Sequence, residues 1–255
     1  MKIVKILGIL FLFLNITDVT AQKNTQVKVY GISLDTLSKM VKNHPKYFEH
    51  LKKKWTKTPE KITDDEMILL YYGSAFMKDY QPKNEDNSIE KMSQTINELD
   101  FETAIKNGEK LINVYPLNSR LYMLLGYAYK QIGQINKSKD YYKRYAQLLR
   151  VPLYSGNGKS FEKAFVVRTV SDEYLILNNK DLELVQLELR YHLEKPYDVM
   201  LITAKLKNNE RMKTLPKEKL YFNVYLPFFI GEGKNYKMVQ QDALKKYKKQ
   251  IKKSK

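Results

Sequence analysis

Leu99-Asp100-Phe101-x-x-Ala104, Pro116-x-Asn118, Tyr122-x-x-Leu125-Gly126-x-x-Tyr129, Gly133, Tyr142 and Pro152 follow one another in that order. Read together they describe helices joined by short turns. Ala104 and Gly126 are small residues where paired helices approach closely, and Tyr122, Tyr129 and Tyr142 fill the gaps between them. Leu121, Leu124, Leu125, Ala128, Tyr129 and Ile132 form one continuous apolar face. Gly133-Gln134 makes the next turn, and Tyr141, Tyr142, Tyr145 and Leu148 continue on the partner helix.

This spacing resembles the tetratricopeptide repeat, whose units bind other proteins far more often than they do chemistry. About one and a half repeats match, whereas a solenoid of this kind takes about three stacked units to bury its faces. Other segments must therefore complete the core. By register, Asn118, Tyr122 and Lys130 are the candidates to line the concave face and hold another protein or peptide.

Upstream, Leu34, Leu37, Met40 and Val41 recur at helical spacing from Ser33. Pro45 interrupts, and Tyr47, Phe48, Leu51 and Trp55 belong to a new helix. Thr63-Asp64-Asp65-Glu66 reads as a capping box ahead of Met67, Leu70 and Tyr71. Pro82 reads as the end of that helical region, 81–87 as a polar linker, and 88–98 as a further helix.

Downstream the period changes. Phe165-Val166-Val167, Tyr174 to Leu177, Tyr197 to Thr203 and Leu220 to Phe229 are short runs rich in β-branched and aromatic residues. Leu182 to Tyr191 fits a helix or a strand; a strand with a phase shift near Val185 is favoured. No helix-length segment is read between these runs, so the sheet is expected to be mainly antiparallel. The fold class is α+β, with a helical region over 33–152 packed on a β region over 153–233.

Tyr71-Tyr72-Gly73, Pro116-x-Asn118, Ser155-Gly156-Asn157-Gly158, Ala164-Phe165, Asp172-Glu173-Tyr174 and Tyr221-Phe222-Asn223 occur in a familiar order. With them the chain resembles an exported family of Bacteroidota catalogued as a domain of unknown function. The resemblance runs from about Leu34 to Phe229 and implies the compartment and the two-part fold. It implies no activity.

The N-terminus points to export. Lys2 and Lys5 precede an apolar stretch from Ile6 to Leu14, and Val19-Thr20-Ala21 places small residues before a cleavage point at Gln22. The stretch is too short to span a bilayer, which takes roughly 20 residues, and no later segment is apolar enough. Residues 22–32 read as an extended or disordered leader. The periplasm or cell envelope is the expected location. The chain has no cysteine, which excludes disulfides, a thiolate nucleophile and cysteine lipidation.

The net charge of +17 is concentrated at the C-terminus. Residues 234–255 carry nine lysines against Asp242, a tail suited to an anionic envelope surface. Nucleic acid would attract it as well, but export argues against that partner.

No motif assembles a catalyst. Gly156-Asn157-Gly158-Lys159-Ser160 ends like a phosphate loop, but the required first glycine is Leu153. It reads as a turn joining the two halves, with Ser155, Gly156, Asn157 and Gly158 as candidates to bind a carboxylate or other anion through backbone amides. Asp172 and Glu173 read as turn residues between strands, with a cation or ligand site as the functional option. Ser155, His192 and Asp172 can be written as a triad, but no nucleophile elbow supports it. The three histidines, His44, His50 and His192, lack zinc spacing. No cofactor or metal is implied.

The reading is an exported, non-catalytic binding or scaffold protein. The alternatives are a hydrolase with its site between the halves near Ser155 and Asp172, and an envelope protein held by its basic tail. N-terminal sequencing of the protein from cells should begin at Gln22; an intact Met1 in a cytoplasmic fraction would overturn the export reading.

Overall fold

The computed structural model describes residues 26–205 and 216–230. The signal peptide read over 1–21 and the lysine tail over 234–255 lie outside the described residues.

Local capping chemistry sets the helix starts. The Ser33 hydroxyl accepts from the Thr36 amide at 3.0 Å and begins α1 (Leu34–Asn43). Pro45 opens α2 (Pro45–Lys57), because a first-turn N–H has no helical partner to lose. Thr63 and Glu66 cap α3 (Asp64–Gly73) reciprocally at 2.9 and 3.2 Å. Pro82, read as a helix end, instead opens α4 (Pro82–Asn97) by the same rule, so the linker read over 81–87 is mostly helix. Asp100 and Asn118 cap α5 (Phe101–Val114) and α6 (Ser119–Gln131) through their side chains at 3.1 and 2.9 Å. Gly133, at φ 75°, ends α6 and admits α7 (Ile135–Leu153).

The close approaches follow the small residues. A Cβ at Gly126 would lie 3.0 Å from the Tyr142 ring, and Ser138 donates to the Gly126 carbonyl at 2.7 Å. Gly108, which the sequence pattern did not mark, does the same for α5: a Cβ there would meet Met92 at 2.7 Å and Leu125 at 2.8 Å.

From Gln26 onward the leader is extended and tied down. β1 (Lys28–Val29) and β2 (Ile32–Ser33) pair antiparallel, with Tyr30 and Gly31 both at positive φ in the tight turn. Val27 and Val29 are buried, and the Tyr30 hydroxyl donates to the Val151 carbonyl at 2.8 Å.

The sheet has the order β3 (Phe165–Val166), β6 (Glu218–Asn223), β5 (Lys195–Ala204), β4 (Leu182–His192). β4–β5 and β5–β6 are antiparallel, whereas β3–β6 is parallel. The register of β4 slips between Leu184 and Gln186, which is the phase shift read at Val185.

Two strand readings are corrected. The run Tyr174 to Leu177 is helical, inside α8 (Val170–Asn179), which starts from a capping box of Thr169 and Asp172. Asp172 and Glu173 are therefore in a first helical turn rather than a turn between strands, and α8 supplies the crossover helix that a parallel β3 needs. The run Leu220 to Phe229 leaves the sheet after Asn223, whose side chain accepts from the Tyr225 amide at 3.1 Å. Residues 226–230 then form a short helical turn around Pro227, which has no N–H to give a ladder.

The halves share their cores. Trp55 is fully buried, donates to the Pro116 carbonyl at 2.6 Å and meets Tyr122 edge-on at 5.8 Å. Its cluster includes α1–α3, Leu148 and Val151 of α7, and Val166 and Leu226 from the β half. A second core lies between the sheet and α8, around Leu175, Ile176, Met200 and Phe222. Gly126→Leu should overpack the α6–α7 contact and cost about 1–3 kcal/mol; an unchanged urea midpoint would show that the helices do not meet there.

Candidate functional site

Arg168 follows β3 and enters the joint between the halves, where its side chain is almost fully buried. Its guanidinium grips both oxygens of Glu85 from α4, with Nη1 3.1 Å from Oε2 and Nη2 in contact with Oε1. Nη2 also donates to the Leu117 carbonyl at 3.2 Å, and Asn118 Nδ2 donates to Glu85 at 2.9 Å. Tyr71 and Tyr80 present their ring faces to the guanidinium at 5.7 and 5.8 Å. Burial works against the Arg168 charge, but the Glu85 carboxylate outweighs it and holds the group protonated above its usual range.

Asp172 sits beside this pair. Its Oδ2 accepts from the Tyr71 hydroxyl at 2.6 Å, the Thr169 amide at 2.9 Å and the Arg168 amide at 3.3 Å. Burial raises its pKa; Arg168 and these donors restrain the rise. Ser171 donates to Asp86 at 2.5 Å. Burial pushes Asp86 up to about 6.

Glu173 is fully buried, and neither of its oxygens receives a donor from the surrounding protein. The group it meets is Asp198 of β5, another carboxyl. Burial first, then the charges of Asp198, Asp172 and Asp86, drive its pKa well above the ordinary range. Burial and these charges push Glu173 toward its protonated form, and burial raises the Asp198 pKa to about 6.

The second feature is a cleft of about 270 Å³ against the β1–β2 hairpin, lined among others by Lys28, Ser155, Glu162, His192, Lys195 and Asn223. His192 lies flat on Phe161 with ring centroids 4.6 Å apart, and its Nε2 is 3.4 Å from Glu162. Burial lowers the Lys195 pKa. Leu193 and Glu194, both at positive φ, form the tight β4–β5 turn at the cleft mouth. The third is a groove of about 770 Å³ beside α1 and α2, lined by Val41, Pro45, Phe48, Phe76 and Met77 with charged residues at its rim.

The residues singled out by sequence fall into three groups. Asn118 and Tyr122 do not face solvent: both are buried, Asn118 as cap and Glu85 partner, Tyr122 with its hydroxyl on the Pro116 carbonyl at 2.9 Å. Lys130 is exposed on α6. Ser155 lines the cleft, but its hydroxyl donates to the Pro152 carbonyl at 2.7 Å and accepts from the Val166 amide at 2.8 Å.

The glycine loop also closes on itself. The Asn157 and Gly158 amides both donate to the Lys163 carbonyl, at 2.9 and 2.7 Å, and the Lys159 amide donates to Asn157 Oδ1 at 3.0 Å. These amides are therefore unavailable to an anion. Gly156 is required because a Cβ there would press on the Lys163 and Ala164 carbonyls, and Gly158 because its φ is 72°. Asp172 and Glu173 are brought together, but inside the joint and away from the cleft lining.

Sequence reasoning missed Glu85, Asp86, Arg168 and Asp198. Glu85 carried a signal: it precedes Ile89, Met92 and Ile96 at helical spacing, so it shares their inward face. Arg168 carried another, as one cation ending the apolar run Phe165-Val166-Val167.

Among the described residues, no cluster of three or more His, Cys, Asp or Glu could hold a metal ion, and no helix is long and apolar enough to cross a membrane. The fold and joint define an α+β protein whose helical and sheet halves are locked by buried charge. The chain belongs to the family described as a domain of unknown function (DUF4919), whose family model matches residues 35–228. No curated protein and no solved structure matches it.

The carboxyl cluster gives a pH signature. Glu173 and Asp198 have folded pKa values above their unfolded ones, so their contribution is full below about pH 4; the Asp198 share is lost as pH rises through about 6, and the Glu173 share as pH rises past the ordinary carboxylate range. Glu173→Gln replaces the buried titrating carboxyl with a neutral amide of the same shape. The variant should gain about 1–2 kcal/mol over the parent at pH 7.5, and little at pH 4.5. A parent–variant difference that does not change with pH in thermal melts would refute the raised pKa of Glu173.

Proposed function

We propose that the protein is an exported, non-catalytic binding module of the cell envelope. The observation that carries this reading is the state of Ser155, the serine that lines the cleft together with His192: its proton and a lone pair are committed to Pro152 and Val166. A nucleophile needs a base at its hydroxyl proton. Here a backbone carbonyl holds that proton instead. Asp172, the acid that the sequence triad would need, is held in the joint by Tyr71 and Thr169.

Binding has the better support. The α1–α2 groove lies within the roughly 300–1,000 Å³ range of ligand sites and is mainly apolar. The α6–α7 hairpin has the glycine contact characteristic of tetratricopeptide units, a class that serves recognition. The basic start followed by Val19-Thr20-Ala21 supports export, and the lysines of 234–255 support attachment to an anionic surface.

A hydrolase is the second reading, favoured by Ser155, His192 and Glu162 sharing one cleft. The two are separated by a fluorophosphonate probe followed by peptide mass spectrometry. Ser155 should remain unlabelled at probe concentrations that saturate an authentic serine hydrolase. Labelling of Ser155 that disappears in Ser155→Ala would overturn the binding reading and establish the hydrolase.

A further inference from the structure

We infer that the α1–α2 groove is a binding site for a single-chain anionic amphiphile, a long-chain fatty carboxylate in its simplest form. The inference rests on the reading of the protein as a binding module and names the ligand class. Its residues are distinct from those of the cleft: the groove and the cleft share no lining residue.

Two features of the groove select this chemistry. Its body is apolar and already formed. Pro45, Phe76 and Met77 present its accessible apolar surface, backed by the buried Val41 and Phe48. The Phe48 ring occupies the space that a side chain at position 73 would fill, so Gly73 is what lets the ring lie there. A hydrocarbon chain gains by leaving water for such a surface and asks for no hydrogen bonds in return.

Beside the Ser38 hydroxyl, the polar groups of the groove are charged and exposed. Lys42 and Lys78 stand at its mouth with Glu49 and Asp79. Asp79 is paired with Lys52, which satisfies its charge. Two lysines then face one free acid, leaving one net positive charge beside an apolar channel. A ligand with a long apolar body and one anionic head matches both parts. A neutral chain would match only the body, and a polar anion only the mouth.

The test uses the full chain and a naturally fluorescent fatty acid, cis-parinaric acid, displaced in turn by oleate and by oleyl alcohol. Oleate should displace the probe at a one-to-one limit, and oleyl alcohol should be about tenfold weaker. Reversing the rim with Lys42→Glu and Lys78→Glu together should weaken oleate by about tenfold and leave oleyl alcohol unchanged, since each exposed charge contributes modestly. Both positions are exposed, so this double variant should keep the parent's melting temperature. Ser38→Trp, which places an indole in the groove, should abolish binding of both competitors. Probe binding untouched by Ser38→Trp and by the rim reversal would overturn the assignment. So would binding that appears only when residues 234–255 are removed, which would make the groove a seat for the chain's own tail. The phosphonate result is separate: labelled Ser155 with intact oleate binding would sink the non-catalytic reading alone, and lost oleate binding with unlabelled Ser155 would sink this one alone.

Discussion

The Arg168–Glu85 ion pair is the interaction on which the arrangement of the two halves depends. A guanidinium taken out of water incurs a desolvation cost of several kcal/mol that only good geometry returns. Here Glu85 answers with both oxygens, Leu117 with its carbonyl, and Tyr71 and Tyr80 with their ring faces. Those partners come from α3, the segment before α4, α4 itself and the α5–α6 turn. A shift of any one of these elements would leave a buried charge without compensation. The joint is therefore specified more sharply than apolar packing alone would specify it.

The acids around that pair divide by their surroundings. Asp172 stays near the cation and collects backbone and phenol donors, which stabilise its charged form. Glu173, one residue on, has no such donors, and burial beside Asp198 drives it toward its protonated form. Adjacent residues in one helical turn thus differ in how strongly burial raises their pKa, Glu173 more than Asp172. The cost of that second arrangement rises with pH, and the surrounding cores must outweigh it. Buried groups of this kind are frequent in active sites. In this protein Asp172 and Glu173 lie in the joint, and neither lines the cleft or the α1–α2 groove.

The two concavities differ in the same physical terms. The cleft beside β1–β2 is polar, bounded by Lys28, Lys195, His192 and Glu162, with its serine already engaged. The α1–α2 groove is apolar within and charged only at its mouth. Recognition in the first would depend on hydrogen bonds and in the second on hydrocarbon burial. That difference is why a binding role, and a ligand class, can be argued from one of them.

Much of the fold was written in local sequence. Capping at Ser33, Thr63 and Asn118, the close approach at Gly126 and the slipped register at Val185 each follow from short-range rules that a chain obeys wherever it lies. Pro82 and the run Tyr174 to Leu177 show the limit of those rules. A proline that can end a helix can also begin one, and a short apolar run fits a strand or a buried helix until its neighbours are known. Burial of charge was decided entirely by tertiary structure. Glu85, Arg168, Glu173 and Asp198 are far apart or ordinary in sequence, and Asn118 and Tyr122 looked available for a partner. Only the packing of α4 and α8 on their neighbouring helices, of α8 on the sheet and of Trp55 on Tyr122 removed them from water, and a charge reveals its partner only once the solvent around it is gone.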